Sequence, residues 1–308
     1  MRVNLSLKKS MGYKNYLFDN YINMAIIAKE ENNPHKAIKF YKKAYDLPIV
    51  NKDIDLILDM ALLYDQLGFK DFAKDKYKEV IDIDSTYANA YYGLAVIYDE
   101  EEDFEEAIKF YNKSIELNPN YDKAYFFLAN IQDELGDKDE AIINYKKVIE
   151  INQMDLWAYA NIGCILEERN EDDEAIKFFM QALNIEEDQF RVLFNMGVSL
   201  GKLGRTKEAQ EYYLNSIKNN ENYPYSYLNL AVMYAENREY DRAVDILNKG
   251  IKNTEEDFLY YHRGCIYMKL NKYTEAITDI NKSIDMNDFF LEYSKKDKDL
   301  EQIWKEIN

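Results

Sequence analysis

Residues Glu105–Asn120, EEAIKFYNKSIELNPN, decide the reading of this chain. Ala107, Ile108, Tyr111, Ile115 and Leu117 fall on one side of a helix, and Asn118, Pro119 and Asn120 stop it. The same sentence returns as DEAIKFFMQALNI from Asp173 and as DRAVDILNKGI from Asp241. Aligned on its alanine, the chain gives Ala37, Ala73, Ala107, Ala141, Ala175, Ala209, Ala243 and Ala276, at spacings of 36, then 34 five times, then 33. A fixed period of this length is the mark of a repeat architecture.

Twelve residues before each alanine stands a second small residue: Ala25, Ala61, Ala95, Ala129, Gly163, Gly197, Ala231 and Gly264. Small residues facing each other on consecutive helices let two backbones approach closely, and a larger side chain would prise the pair apart. Around the small residue the first helix carries apolar residues at helical spacing, as in Tyr91, Leu94, Ala95 and Tyr98. Between the helices the hinge residue is Asn32, Gly68, Glu102, Gly136, Asn170, Gly204, Arg238 or Asn271. Six of these are Gly or Asn, which tolerate the left-handed conformation that ends a helix. Each EEAI-type helix therefore packs on the helix before it, and each pair packs on its neighbours.

The period, the small pair, the tyrosines and the Asn-Pro stop resemble the tetratricopeptide repeat (TPR) family. The resemblance covers residues 18–290 and implies an all-α, right-handed α-solenoid of eight TPR helix-turn-helix repeats with a C-terminal capping helix. The repeats are expected at about 18–51, 54–87, 88–121, 122–155, 156–189, 190–223, 224–257 and 257–290. The opening aromatic is Tyr in six of them, and the closing proline survives only as Pro119. The 36-residue spacing adds two residues near LPIVNKDID, and the 33-residue spacing removes one near NKGIKNTEED. Residues 1–17 have no repeat counterpart and read as an N-terminal lead-in or cap. At 291–308, Leu300, Ile303, Trp304 and Ile307 make the apolar face of the capping helix.

In TPR solenoids the first helices line a concave groove, so the resemblance implies a non-catalytic adaptor or assembly scaffold that holds an extended peptide there. The residues it places in the groove are Tyr92, Phe126, Phe127, Asn130, Trp157, Asn161, Arg191, Phe194, Asn195, Tyr225, Asn229 and His262. Asn161, Asn195 and Asn229 share one repeat position and could hydrogen-bond a peptide backbone while the aromatics take its side chains. Arg191 suits a carboxylate. The two-carboxylate clamp of chaperone-adaptor TPR proteins needs two cations that this sequence lacks, so an internal segment fits better than a doubly charged terminus. Along the groove edge stand Asp65, Asp99, Glu100, Asp133, Glu134, Glu167 and Glu168, whose summed field would favour a partner with basic side chains, unless they only solvate the surface. Two other readings stay open: a structural solenoid that self-associates through its ends, and a peptide-sensing regulator.

Composition narrows the rest. Ten glycines and four prolines in 308 residues are too few for a turn-rich sheet protein. A net charge of −18 opposes nucleic-acid phosphates and anionic headgroups, so neither nucleic acid nor membrane insertion is expected. His35 and His262 are far apart, and Cys164 and Cys265 lie three repeats apart, which offers no metal or disulfide spacing. No nucleophile and base can be assembled from this inventory, so neither an enzyme nor a cofactor is expected. GVSLGKLG near Gly197 fails as a phosphate loop because Leu203 stands where Ser or Thr is needed. The chain reads as a cytoplasmic protein, a monomer or a weak homodimer, with neither a signal-peptide core nor a membrane-length apolar run.

Overall fold

A computed structural model describes residues 2–48 and 53–307, with side chains from Asn15 onward. Helices follow one another in pairs: Arg2–Glu30 (α1) with Pro34–Tyr45 (α2), Ile54–Gln66 (α3) with Lys70–Ile83 (α4), Ala88–Glu100 (α5) with Phe104–Leu117 (α6), and Asp122–Glu134 (α7) with Lys138–Ile151 (α8). The series continues as Leu156–Glu168 (α9) with Asp172–Ile185 (α10), Phe190–Lys202 (α11) with Thr206–Asn219 (α12), Pro224–Glu236 (α13) with Tyr240–Thr254 (α14), and Asp257–Lys269 (α15) with Tyr273–Met286 (α16). Phe289–Lys296 (α17) and a 3-10 helix over Lys298–Glu306 close it. No strand occurs among the described residues. The chain divides into an N-terminal unit, 1–153, and a C-terminal unit, 154–308.

Within each unit a helix packs most extensively on its pair partner, and the second helix of a pair meets the first helix of the next. The small residues sit at the crossings. Every alanine of both series is fully buried. Where glycine replaces it, the partner helix fills the space: a Cβ on Gly163 would lie 2.5 Å from the Phe179 ring, and one on Gly197 would lie 2.7 Å from Tyr213. Four residues beyond the second-helix alanine a large ring completes the crossing in the first six repeats, and Leu247 and Ile280 take its place in the last two. Tyr41, Tyr77, Tyr111 and Tyr145 supply the ring in the N-terminal unit, and Phe179 and Tyr213 in the C-terminal unit, all buried.

The hinges adopt the conformation expected of them. Asn32, Gly68, Glu102, Gly136, Asn170, Gly204, Arg238 and Asn271 all have positive φ, between 54° and 86°. At the second of them Gly68 N–H donates to Asp65 O and Phe69 N–H to Tyr64 O, both at 2.8 Å, which closes the last carbonyls of α3. The next helix starts at once, and side-chain caps fix several starts, as where Asn33 Oδ1 accepts from Lys36 N at 3.0 Å.

The 33-residue spacing has a local cause. Second helices such as α6 and α12 end on residues with extended backbone, Asn118 and Asn220. Helix α14 instead ends on Glu255 at φ 52°, so the chain reverses one residue sooner. The two residues added by the 36-residue spacing fall around 49–52, outside the described residues.

The C-terminal segment departs from a single capping helix. It is split at Asp297, whose extended backbone (φ −81°, ψ 111°) separates α17 from the 3-10 helix. Leu300, Ile303 and Ile307 still close over Tyr261, Ile280 and Phe290. Trp304 Nε1 donates to Ser294 O at 3.1 Å, which binds the two pieces together.

Candidate binding surface on the first helices

Helices α9, α11 and α13 each put their second residue into solvent. These residues are Trp157, 44% exposed, Arg191, and Tyr225, 49% exposed. The 34-residue period places them at one repeat position in three successive repeats. Behind Arg191 and Tyr225 runs a chain of rings. Phe190 and Phe194 stand edge-on to Tyr223 at 5.0 and 5.3 Å, Tyr223 stands edge-on to Tyr225 at 5.5 Å, and Tyr225 stacks on Phe258 at 5.5 Å. The Arg191 guanidinium lies 5.7 Å from the Phe190 ring centre.

The asparagines lie deeper than the sequence implied. Asn161, Asn195 and Asn229 are half-buried. Asn229 Nδ2 donates to the Tyr213 hydroxyl at 3.4 Å, and Asn195 Nδ2 donates to Cys164 Sγ at 3.1 Å. The reason is the ring of the preceding repeat. Where that ring is Tyr213, its hydroxyl reaches the amide of the next first helix. Where it is Phe179, no hydroxyl exists, and Asn195 turns to sulfur. In the N-terminal unit the same place holds Asp59, whose Oδ2 accepts from Tyr41 OH at 2.7 Å. One function of the asparagine position is therefore to satisfy a buried tyrosine.

The remaining candidates belong to the N-terminal unit. Tyr92 packs on Tyr121 at 4.8 Å and on Tyr111 at 5.9 Å. Phe126 stands edge-on to Phe127 at 5.6 Å and to Tyr145 at 5.7 Å. Asn130 Oδ1 accepts from Tyr145 OH at 2.7 Å.

Several of the groove-edge carboxylates are engaged within their own unit. Glu100 pairs with Lys70 at 2.8 Å, Asp133 with Lys138 at 3.2 Å, and Glu167 with Lys202 at 2.5 Å. Asp99 accepts from Tyr111 OH at 3.2 Å. Burial, with smaller contributions from Glu134 and Glu100, raises the Asp99 carboxyl above the ordinary range against the pull of that hydrogen bond. Glu134 is exposed.

Two cavities went unnoticed in the sequence. One, about 300 Å³, opens among α3, α4 and α5 and is lined by Leu58, Asp65, Tyr77, Tyr92 and Gly93 among others. The other, about 280 Å³, lies against α13 and α15 and holds His262 and Cys265. Burial holds the His262 imidazole below its usual range, which favours its neutral form, and pushes the Cys265 thiol up to about 12, which keeps it protonated. The signal for the first cavity was Gly93, which occupies the repeat position that elsewhere holds Asp59, Phe127 and the three asparagines.

Among the described residues no group of three His, Cys, Asp or Glu side chains is placed to hold a metal ion. No helix among the described residues is long and apolar enough to cross a membrane.

Three patterns of the tetratricopeptide repeat match the chain, at 88–121, at 18–48, 122–153, 158–189 and 259–289, and at 194–257. None of the curated proteins matches it. Solved structures do. MamA protein superposes with a TM-score of 0.50 at 29% identity, over 57% of this chain and 96% of that one. YrrB, described as a TPR protein with an unusual peptide-binding site, gives 0.52 at 20% identity, over 59% of this chain and 94% of its own. The Cut9–Hcn1 hetero-tetramer of the APC/C gives 0.56 at 16% identity, over 88% of this chain and 52% of that one. With repeat matches over most of its length, this chain belongs to the tetratricopeptide-repeat family.

Proposed function

We propose that this chain is a cytoplasmic, non-catalytic adaptor or assembly scaffold that binds an extended segment of another protein along the faces of its first helices. The observation that carries the reading is the register of Trp157, Arg191 and Tyr225. Two large aromatics and a guanidinium are held in solvent at one repeat position on three successive first helices, and a layer of rings runs behind Arg191 and Tyr225. Apolar rings kept exposed in register, with a cation between them, suit the side chains and carboxylates of a bound segment.

The half-buried asparagines take a narrower part. Asn195 and Asn229 use their NH2 groups inward, and their carbonyl oxygens make no hydrogen bond among the described residues. Such oxygens can accept backbone N–H groups of an extended chain. Phe194 backs this surface rather than forming its outermost layer, and in the N-terminal unit Phe126 and Tyr92 are likewise half-buried on their own first helices. Two cysteines with no disulfide between them suit a reducing compartment.

The test is a selection from a displayed library of extended peptides, carried out with the native chain and with the Trp157, Arg191, Tyr225→Ala triple variant at equal helicity. Segments selected by the native chain should lose about tenfold or more in affinity for the variant, as truncation of hot-spot aromatics and arginine does. Equal affinity for both proteins would move binding off these faces and overturn the reading.

A further inference from the structure

In the N-terminal unit the ring at the end of one repeat reaches the first helix of the next. Tyr41 does this by donating its hydroxyl to Asp59 at 2.7 Å. One repeat later the equivalent residues are Tyr77 and Gly93, and the arrangement changes. The Tyr77 ring folds over the bare glycine backbone, and a Cβ on Gly93 would lie only 2.3 Å from Tyr77 Cζ in the present packing, inside the ring's own space. Tyr77 is 2% exposed, yet its hydroxyl makes no hydrogen bond among the described residues. The ring forms one wall of the cavity of about 300 Å³.

The other walls divide by chemistry. Leu58, Leu62 and Val96 give an aliphatic side, and Tyr92 with Tyr121 gives an aromatic one, their rings 4.8 Å apart. The one charged group lining the space is the Asp65 carboxylate, which has neither a hydrogen bond nor an ion pair among the described residues. Two charges act on it from nearby, Glu100 on the adjacent first helix and Lys70, which is itself paired with Glu100 at 2.8 Å. Burial and Glu100 together raise the Asp65 carboxyl above its usual range, more than Lys70 lowers it, so a cation brought to it would be attracted strongly.

We propose that this cavity receives one lysine or arginine side chain of the bound protein segment, its aliphatic stem against Leu58, Leu62 and Val96 and its cationic head between Asp65 and the tyrosines. The assignment rests on the segment-binding function proposed above and names the residue class recognised at this place. A long stem with a charged tip matches a pocket that is apolar along one side and carries a single carboxylate. Ring faces of Tyr77, Tyr92 and Tyr121 add cation–π attraction, and the Tyr77 hydroxyl oxygen supplies an acceptor for an N–H donor. An aliphatic or aromatic residue would fill the space and leave Asp65 desolvated without a partner. An acidic side chain would face the Asp65 carboxylate.

The test uses the full chain labelled with 15N-glycine, which carries ten glycines, and reads the Gly93 amide. Probes are n-butylammonium, n-butylguanidinium, uncharged n-pentanol, and spermidine. Both monovalent cations should shift the amide saturably, with pentanol at least about tenfold weaker. Asp65→Asn, a neutral variant of similar shape, should fold and lose that preference. Pentanol titrating as well as the cations, or a preference unchanged in Asp65→Asn, would overturn the proposal. Saturation by spermidine at micromolar concentration would make a free polyamine the occupant and equally overturn it. The probes contain no peptide, so their result stands apart from that of the library selection. In segments that the selection yields, replacement of a lysine by norleucine should weaken binding about tenfold, and no loss at any lysine or arginine would count against this cavity while leaving the binding faces intact.

Discussion

At the scale of single residues, the tyrosine four places after the second-helix alanine links packing to polarity. Tyr111 fills the α5–α6 crossing, fully buried, and its hydroxyl reaches Asp99 at 3.2 Å. The two roles separate by mutation. Tyr111→Phe keeps the ring and removes one hydrogen bond to a charged acceptor, a loss of about 1.5–3 kcal/mol. Tyr111→Ala opens a cavity at the crossing and should cost about 3–5 kcal/mol. Urea unfolding of both variants checks the order. Equal losses would mean that the hydroxyl, and not the ring, holds the crossing. This residue also shows what the sequence could and could not reveal. Its burial was legible, because Tyr77, Tyr111, Tyr145 and Tyr213 recur in register. Its partner was not, because the group that meets the hydroxyl lies on a different helix and changes from repeat to repeat: Asp59 accepts from Tyr41, Asp99 from Tyr111 and Asn130 from Tyr145, whereas Asn229 donates to Tyr213. For the same reason Asn195 and Asn229 read as free amides in the sequence, although each is bonded to a group about half a repeat to one repeat away.

At the scale of the element, the helix pair is set by its hinge, and here local sequence was sufficient. A left-handed residue between two helices is a property of a few adjacent positions, so Gly and Asn at six hinges revealed it, and register supplied Glu102 and Arg238. Those two carry a steric cost that glycine escapes. Glu102 has φ 60°, and its side chain is exposed. Glu102→Gly relieves about 1–2 kcal/mol of left-handed strain and loses about 0.5–1 kcal/mol to the freer unfolded chain, a net gain of up to about 1.5 kcal/mol. The reverse substitution, Gly136→Ala, should lose about as much. Gly136 has φ 86° and nothing within 4 Å of an added Cβ, so the cost is conformational alone. Opposite shifts in thermal midpoint would establish the hinge as the common cause. A stabilising Gly136→Ala would remove it. The capping segment was less legible, because its spacing of apolar residues suits an α-helix and only the extended backbone at Asp297 divides it.

At the scale of the molecule, a chain of repeats is held together by neighbours, so damage should stay local. The C-terminal segment provides the test. Leu300, Ile303 and Ile307 cover Tyr261, Ile280 and Phe290, and each buried aliphatic side chain contributes roughly 1.5–3 kcal/mol. Tyr261 OH also donates to Asp297 Oδ2 at 2.6 Å, and Lys269 pairs with Asp299 at 2.6 Å, so the segment holds the last repeat by polar as well as apolar contacts. Deleting 289–308 removes Phe290 with the rest of the cap, uncovers Tyr261 and Ile280 and strips two partners from α15. Amides of α15 and α16 should then exchange with solvent at least about tenfold faster, as a loss of even 1.4 kcal/mol requires. Amides of α3 to α6 should keep their protection, because the contacts within their own unit are unaltered. Hydrogen exchange read by mass spectrometry resolves the two regions in one experiment. If protection fell equally along the whole chain, unfolding would be a single cooperative event, and stability would belong to the molecule rather than to each repeat and its neighbours.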